Sequence, residues 1–260
     1  MNSVRPKKHF GQHFLVDRGI ARKIAASLKA ENCDSVLEIG PGKGILTGFL
    51  MERNFADFRV VEIDSEAIAF LEQSMGDRLN IIKGDFLKLD IPALFPGKVA
   101  ITGNFPYNIS SQILFRLLQF RDRVPELTGM FQREVAQRIC AEPGSKIYGI
   151  LSVLVQAYYR TESLFTVSEK VFYPPPKVKS AVIRLTRIKD RNPDCDTDLF
   201  FKVVKTCFNR RRKTIRNSLR AAFTFESDDF MLLTMRPEQL SVEQFTDLTK
   251  WVSVNCVQNE

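Results

Sequence analysis

The sequence predicts an α/β fold: a mostly parallel sheet covered by helices on both faces, with an antiparallel pair at its edge, followed by a small C-terminal all-helical domain. Three observations carry this. Short apolar, β-rich runs alternate with helical segments from Ser35 to Phe131, and such alternation builds a parallel sheet. Two later strand-like runs, Ala157–Val167 and Ser180–Arg187, have only a loop between them, which suits an antiparallel edge pair. Past the polar stretch Lys189-Asp190-Arg191-Asn192-Pro193-Asp194, a boundary by its composition, the periodic segments are helical. The predicted domains are therefore residues 1–189 and 190–260.

In chain order, Val36-Leu37-Glu38-Ile39 reads as a buried strand, followed by a glycine-rich turn and a helix from Ile45 to Asn54. Phe58–Ile63 is the second strand and Ser65–Met75 the next helix. Asn80-Ile81-Ile82, Val99–Thr102 and Leu127–Phe131 supply three more strands, and helices fit over Ser110–Phe120 and Glu134–Ala141. In the second domain, helices are expected over Leu199–Asn209, Lys213–Phe223 and Val242–Val254. A short element is expected near Asp229–Leu233, and no strand.

With 260 residues, 44% of them hydrophobic and 26% charged, the composition suits a globular chain with one large and one small domain. The formal charge of +8 is uneven. Residues 1–30 hold seven basic residues against one acidic, and residues 209–220 hold six basic and none acidic. Those two stretches carry +12, so the rest of the chain sums to −4, and a polyanionic partner is the natural expectation for such patches. The five cysteines are dispersed with no C-x-x-C pair, which reads as reduced thiols. Without an apolar signal core or an 18-residue apolar run, the expected location is the cytoplasm, with no membrane partner. His9 and His13 are the only histidines, so neither a histidine metal centre nor a Ser-His-Asp triad is expected.

The chemistry concentrates at predicted strand ends. Glu38-Ile39-Gly40-Pro41-Gly42-Lys43-Gly44 lies between the first strand and its helix. Its third glycine falls one residue early for G-x-G-x-x-G, and a P-loop would need G-K-[ST]. Glu62 closes the second strand, where a carboxylate can accept ribose hydroxyl hydrogens; Asp64 nearby admits the same reading, and Glu62 is preferred because it ends the run Val60-Val61. Asp85 follows the third strand, where the adenine amino group of the cofactor would sit in the class I S-adenosylmethionine-dependent methyltransferases that the glycine turn resembles. After the fourth strand comes Asn104-Phe105-Pro106-Tyr107. The tetrapeptide resembles the motif of enzymes that methylate exocyclic amino groups of nucleobases, and for such a substrate the residue types have a physical reason: the N6 lone pair of adenine is delocalised into its ring and is a poor nucleophile. The Asn104 side-chain oxygen and the Phe105 carbonyl can each accept one N6 hydrogen, localising that lone pair and stabilising positive charge as it develops. Pro106 fixes the turn, and Tyr107 offers a stacking face to an extruded base.

These motifs carry a resemblance. E-x-G-x-G-x-G resembles the first motif of class I S-adenosylmethionine-dependent methyltransferases, whose sheet is Rossmann-like, and N-x-P-Y resembles the motif of enzymes that methylate exocyclic amino groups of nucleobases. Lys8-His9-Phe10-Gly11-Gln12-His13-Phe14-Leu15, Val171-Phe172-Tyr173-Pro174-Pro175-Pro176-Lys177-Val178-Lys179-Ser180 and Phe208-Asn209-Arg210-Arg211-Arg212-Lys213-Thr214-Ile215-Arg216-Asn217-Ser218-Leu219 narrow it. Together they resemble the ribosomal RNA adenine N6-dimethyltransferases, in particular the bacterial small-subunit (16S) branch. Phe105 stands where Leu is commoner and Lys179 where an acid is frequent.

The resemblance implies an S-adenosyl-L-methionine cofactor held by His13, Leu15, Gly40, Glu62, Asp85 and Asn104, with His13 and Leu15 closing over its methionine part. It implies chemistry at Asn104, Phe105 and Tyr107, with Phe172 stacking on the target base opposite Tyr107. The product would be dimethyladenosine at two adjacent adenosines of a hairpin loop, the partner 16S rRNA within a 30S particle, the chain a monomer, and no metal would be needed. Arg210, Arg211, Arg212, Lys213 and Arg216 would bind RNA. Arg212, Arg216 and Arg220, four apart, would share a helical face whose repulsion phosphate would relieve, with Ile215 and Leu219 on the core side. Arg5, Lys7, Lys8, Arg18, Arg22 and Lys23 form the second basic patch. Three other readings stay open: an Erm-type large-subunit RNA methyltransferase, a DNA adenine methyltransferase, and a non-enzymatic ribosome-assembly or transcription-associated factor.

Overall fold

A computed structural model of the chain describes residues 4–7, 10–225, 227 and 229–259; Lys8 and His9 of the N-terminal run lie outside them. The chain forms two compact units, Met1–Ala136 with Arg160–Arg187, and Gln137–Tyr159 with Ile188–Glu260.

Along the chain, β1 (Phe14–Leu15) and α1 (Arg18–Ser27) precede an alternating series: β2 (Ser35–Ile39), α2 (Ile45–Met51), β3 (Phe58–Glu62), α3 (Ser65–Met75), β4 (Asn80–Lys83), α4 (Ile91–Leu94), β5 (Val99–Asn104), α5 (Ser110–Gln119), β6 (Glu126–Gln132) and α6 (Arg133–Ile139). After α7 (Ile150–Gln156) come β7 (Tyr159–Val167), β8 (Phe172–Tyr173) and β9 (Ser180–Arg187). Seven strands form one sheet in the order β4-β3-β2-β5-β6-β9-β7. The first five of that order run parallel, and β9 lies antiparallel to β6, from Glu126 opposite Thr186 to Gln132 opposite Ser180. β2 is buried along its whole length, as a central strand covered on both faces must be. It pairs with β3 on one side and β5 on the other, so the strand order reverses there and opens a crevice at the strands' carboxyl ends.

The parallel sheet and its antiparallel strand follow the sequence expectation, with two departures. The segment between β7 and β9 is more than a loop: β8 pairs with β1, Phe14 opposite Tyr173 and Leu15 opposite Phe172. Two-residue strands carry no readable period, so only the fold reveals this ribbon. Helix α7, Ile150–Gln156, has no counterpart in the sequence reading; its short apolar run is as compatible with a strand as with a helix.

In the second unit, α8 (Thr197–Asn209) buries Phe200, Val203, Val204 and Cys207, the i, i+3, i+4, i+7 stripe of an amphipathic helix. Asp196 caps it by accepting from Leu199 N at 2.7 Å. α9 (Ile215–Leu219) is much shorter than the helix expected over Lys213–Phe223. Residues 210–213 form the turn before it, with Lys213 N donating to the Arg210 carbonyl at 2.8 Å. Arg212 therefore does not share a helical face with Arg216 and Arg220, contrary to the expectation; four consecutive cations repel one another, and the chain leaves the helix there. Ile215 and Leu219 are fully buried, as expected. A small antiparallel ladder of β10 (Phe223–Thr224) and β11 (Val257–Gln258) brackets α10 (Val242–Asn255), where no strand was expected. Among the described residues no helix is long and apolar enough to cross a membrane.

Candidate active site

A cleft opens at the carboxyl ends of β2, β3, β4 and β5. The glycine turn forms one wall. Gly40, Gly42 and Gly44 have φ of +66°, +55° and +74°, a region L side chains avoid. A Cβ on Gly42 would stand 2.9 Å from the Phe14 ring, so the N-terminal arm lies directly on the turn. Phe10, Gly11, Gln12, His13, Phe14 and Leu15 all line the cleft.

Three acidic side chains line the same space. Glu62, at the end of β3, accepts through Oε1 from the Ile63 and Asp64 amides at 2.8 and 2.9 Å, and through Oε2 from the Gly42 amide at 3.2 Å. Burial raises its pKa against the pull of those amides. Asp85 uses Oδ1 to accept from Leu87 N at 2.9 Å. Glu38 is 1% exposed, its Oε2 has no hydrogen-bond partner, and burial pushes its pKa up to about 8.

Asp64 does not line the cleft. It caps α3 by accepting from Glu66 N at 3.0 Å, and its carboxylate takes Lys7 Nζ at 2.6 Å and Gln12 Nε2 at 2.9 Å. The Lys7 amide donates to Gln12 Oε1 at 2.8 Å. Asp64 therefore anchors the arm whose next residues cover the cleft.

Asn104 ends β5. Its Nδ2 donates to the His13 carbonyl at 3.0 Å, which leaves Oδ1 as an acceptor. Phe105 follows with its ring buried against Phe131, the centroids 4.7 Å apart, and its amide donating to Met130 O at 3.1 Å; no described group donates to its carbonyl. Tyr107 shares a 2.5 Å hydrogen bond with Ser180 Oγ, and burial raises its pKa, so it stays neutral at pH 7. The His13 and Tyr107 rings lie 5.3 Å apart. His13 Nδ1 donates to the Pro174 carbonyl at 2.8 Å, which leaves Nε2 as an acceptor in the neutral ring.

The structure thus brings His13, Leu15, Gly40, Glu62, Asp85, Asn104, Phe105 and Tyr107 around one cleft. It does not bring Phe172 there. In β8, Phe172 stands opposite Leu15 and is 4% exposed within the core, because strand alternation sends its side chain inward and that of Tyr173 outward. Gln12 and Phe14, whose contacts hold the arm, belong to the N-terminal signature run, yet nothing in spacing marks their partners. In the second unit, Arg210, Arg212 and Lys213 are exposed, Arg211 donates to Ser145 O at 3.2 Å, and Arg216 is half-buried on α9.

Residues 3–253 match the family model described as ribosomal RNA adenine dimethylase. The chain is 54% identical to the ribosomal RNA small subunit methyltransferase A of Parabacteroides distasonis over 96% of its own length and 94% of the relative's. Identity with the same-named protein of Flavobacterium johnsoniae is 53%, with both chains fully covered. Among solved structures, the dimethyladenosine transferase of Plasmodium falciparum superposes with a TM-score of 0.75 at 25% identity, over 93% of this chain and 98% of that one. The 23S rRNA methyltransferase ErmE gives 0.65 at 26% identity, over 91% and 99%.

Proposed function

The chain belongs to the ribosomal RNA adenine dimethylase family, and from that premise we propose how its own cleft performs the transfer. It is an rRNA adenine dimethyltransferase that acts on N6 of adenosine in small-subunit rRNA. We infer S-adenosyl-L-methionine as the methyl donor. The cleft residues fit it: Glu62 keeps lone pairs beyond its three amide bonds for ribose hydroxyls, and Asp85 Oδ2 suits an adenine amino group. The buried, unpaired Glu38 Oε2 suits a cationic ligand. Gly40 lets backbone approach closely, while His13 and Leu15 close over the methionine end. When bound, that donor supplies an electrophilic sulfonium methyl and departs as a neutral thioether.

The chain's own work is done at Asn104-Phe105. Asn104 Oδ1 and the Phe105 carbonyl accept the two N6 hydrogens, holding the amino group so that its lone pair faces the methyl. The same two oxygens stabilise the positive charge that grows on nitrogen. Tyr107, neutral and fixed by Ser180, presents its ring to the extruded base. One observation carries this reading: the Asn104 Nδ2 bond to His13 O commits the amide nitrogen and turns the oxygen to acceptor duty. Stacking by Phe172 would require its ring to leave the core. The relatives' names support small-subunit rRNA as the substrate, and we infer that it is met within the small-subunit particle. We read the chain as a cytoplasmic monomer, with Arg210–Lys213 and Arg216 on phosphate.

Titration with S-adenosyl-L-methionine, and methylation of purified small-subunit particles beside large-subunit RNA, test the reading. The wild type is expected to bind the donor and methylate the small-subunit particles, and Asn104→Ala is expected to lose most turnover. A wild type that binds no donor, or an Asn104→Ala variant at full rate, overturns it.

A further inference from the structure

The two aromatic residues of β8 have opposite environments. Phe172 is 4% exposed, whereas Tyr173 is 61% exposed. Among the described residues, the Tyr173 ring has no aromatic or cationic partner and its hydroxyl makes no hydrogen bond. A lone exposed aromatic needs no explanation by itself; its placement does.

Tyr173 stands directly opposite Phe14 in the β1–β8 ribbon, and residues opposite one another in an antiparallel pair share a face. Phe14 lies on the glycine turn and lines the cleft. One residue further on, the Pro174 carbonyl accepts from His13 Nδ1 at 2.8 Å, and the His13 carbonyl accepts from Asn104 Nδ2 at 3.0 Å. Two hydrogen bonds therefore tie the backbone beside Tyr173 to Asn104. Pro174-Pro175-Pro176 follows, restricting the chain that leaves the strand. The backbone is held while the ring is free. Lys177 and Lys179, a few residues on, are exposed and have no carboxylate partner among the described residues.

We propose that Tyr173 contacts the substrate, its ring stacking on a nucleobase next to the adenosine being methylated and holding the opened strand at the cleft mouth. This rests on the reading of the cleft as an rRNA adenosine methylation site. The face of the ring offers nothing to a phosphate, whereas every base presents a π-face to it; a hydroxyl bond to phosphate would be lost in Tyr173→Phe, which separates the two. Lys177 and Lys179 supply the phosphate contacts beside it. Such a ring holds the strand without reading its sequence, and it acts on RNA binding, not on the donor.

The test compares wild type, Tyr173→Ala, Tyr173→Phe and Tyr173→Trp on small-subunit particles at saturating donor. Stacking of this kind predicts a rise of about 5- to 100-fold in KM for the particle with Tyr173→Ala, at unchanged Tm and donor affinity. Phe and Trp should restore KM to within about twofold, since the ring and not the hydroxyl is used. A hairpin RNA carrying 2-aminopurine beside the target adenosine should lose fluorescence on binding wild type and lose much less with Tyr173→Ala. Wild-type KM in Tyr173→Ala, or failure of Phe and Trp to rescue, overturns the proposal while the reading of the cleft stands. A wild type that methylates no rRNA removes both.

Discussion

At the residue scale, Asn104 and Glu38 do different work. Asn104 is fixed by one donor bond to His13 O and acts through its oxygen. Asn104→Asp keeps an acceptor but sets a carboxylate oxygen against the His13 carbonyl, so it should loosen the arm and lower kcat together. A single pre-aimed hydrogen-bond group of this kind is worth about 100-fold or more in turnover, and single-turnover methylation measures it.

Glu38 predicts a pH dependence. Burial first, and the negative charge of Glu62 as a minor addition, hold its pKa at about 8 against an ordinary 4.5, with Thr47 opposing. Between those values the folded chain keeps a proton that the unfolded chain has released. The stability this contributes is therefore complete below about pH 4.5 and is lost as pH rises through 8. Glu38→Gln cannot titrate, so its Tm should fall less than wild type's between pH 5 and about 8.5, followed by thermal melts. Binding of a cationic donor favours the ionised acid, so complex formation near pH 7 should release protons in wild type and fewer in Glu38→Gln. Calorimetry in buffers of different ionisation enthalpy reads that difference.

At the element scale, two features show what the sequence could and could not convey. The βα units of the sheet are readable because each strand is a short apolar run, the longer helices have a period, and some carry a cap, as Asp64 shows by accepting from Glu66 N. The acids at Glu62 and Asp85 are readable for the same reason: one ends an apolar run and the other lies just past one, and strand ends in a parallel sheet converge on one edge. The β1–β8 ribbon is not readable, since two residues have no period, and so the burial of Phe172 and the exposure of Tyr173 are known only from the register. The arm's latch is hidden too: Lys7 and Gln12 are 57 and 52 residues from Asp64, and spacing says nothing of partners so distant.

That latch predicts a separable effect. Asn is as good a helix cap as Asp, so Asp64→Asn keeps α3 while removing the charge that holds Lys7. Trypsin should cut at Lys7 several-fold faster in this variant, and added salt should speed cutting in wild type more than in Asp64→Asn, with Tm nearly unchanged. Phe105 gives the second case. The ring occupies a notch left by Gly129, where a Cβ would meet Phe105 Cε2 at 2.4 Å and the Gly103 carbonyl at 2.6 Å. Gly129→Ala should cost about 1–3 kcal/mol by overpacking, read by denaturant melts. It should also depress kcat beyond that loss, because the displaced residue carries an acceptor carbonyl.

At the scale of the whole molecule, charge is distributed by task. The net +8 comes from a basic arm with α1 and from residues 209–220, the turn after α8 together with α9, while the remainder of the chain is slightly acidic, with Glu38, Glu62 and Asp85 in the cleft. An acidic cleft suits a cationic donor, and the basic turn suits phosphate. Arg210, Arg212 and Lys213 are exposed on a turn of the second unit, and no carboxylate pairs with them among the described residues. Each cation that neutralises a phosphate adds about 0.7 to 0.9 to the slope of log affinity against log salt. Replacing those three residues with Gln should therefore flatten the slope for particle binding by about 2 to 3 and weaken binding most at low salt. Donor affinity, set in the other unit, should not move. Filter binding over a salt series beside donor titration separates the two quantities. An unchanged slope would mean that the turn is only a solvated break between two helices, and loss of donor binding would mean that it supports the fold.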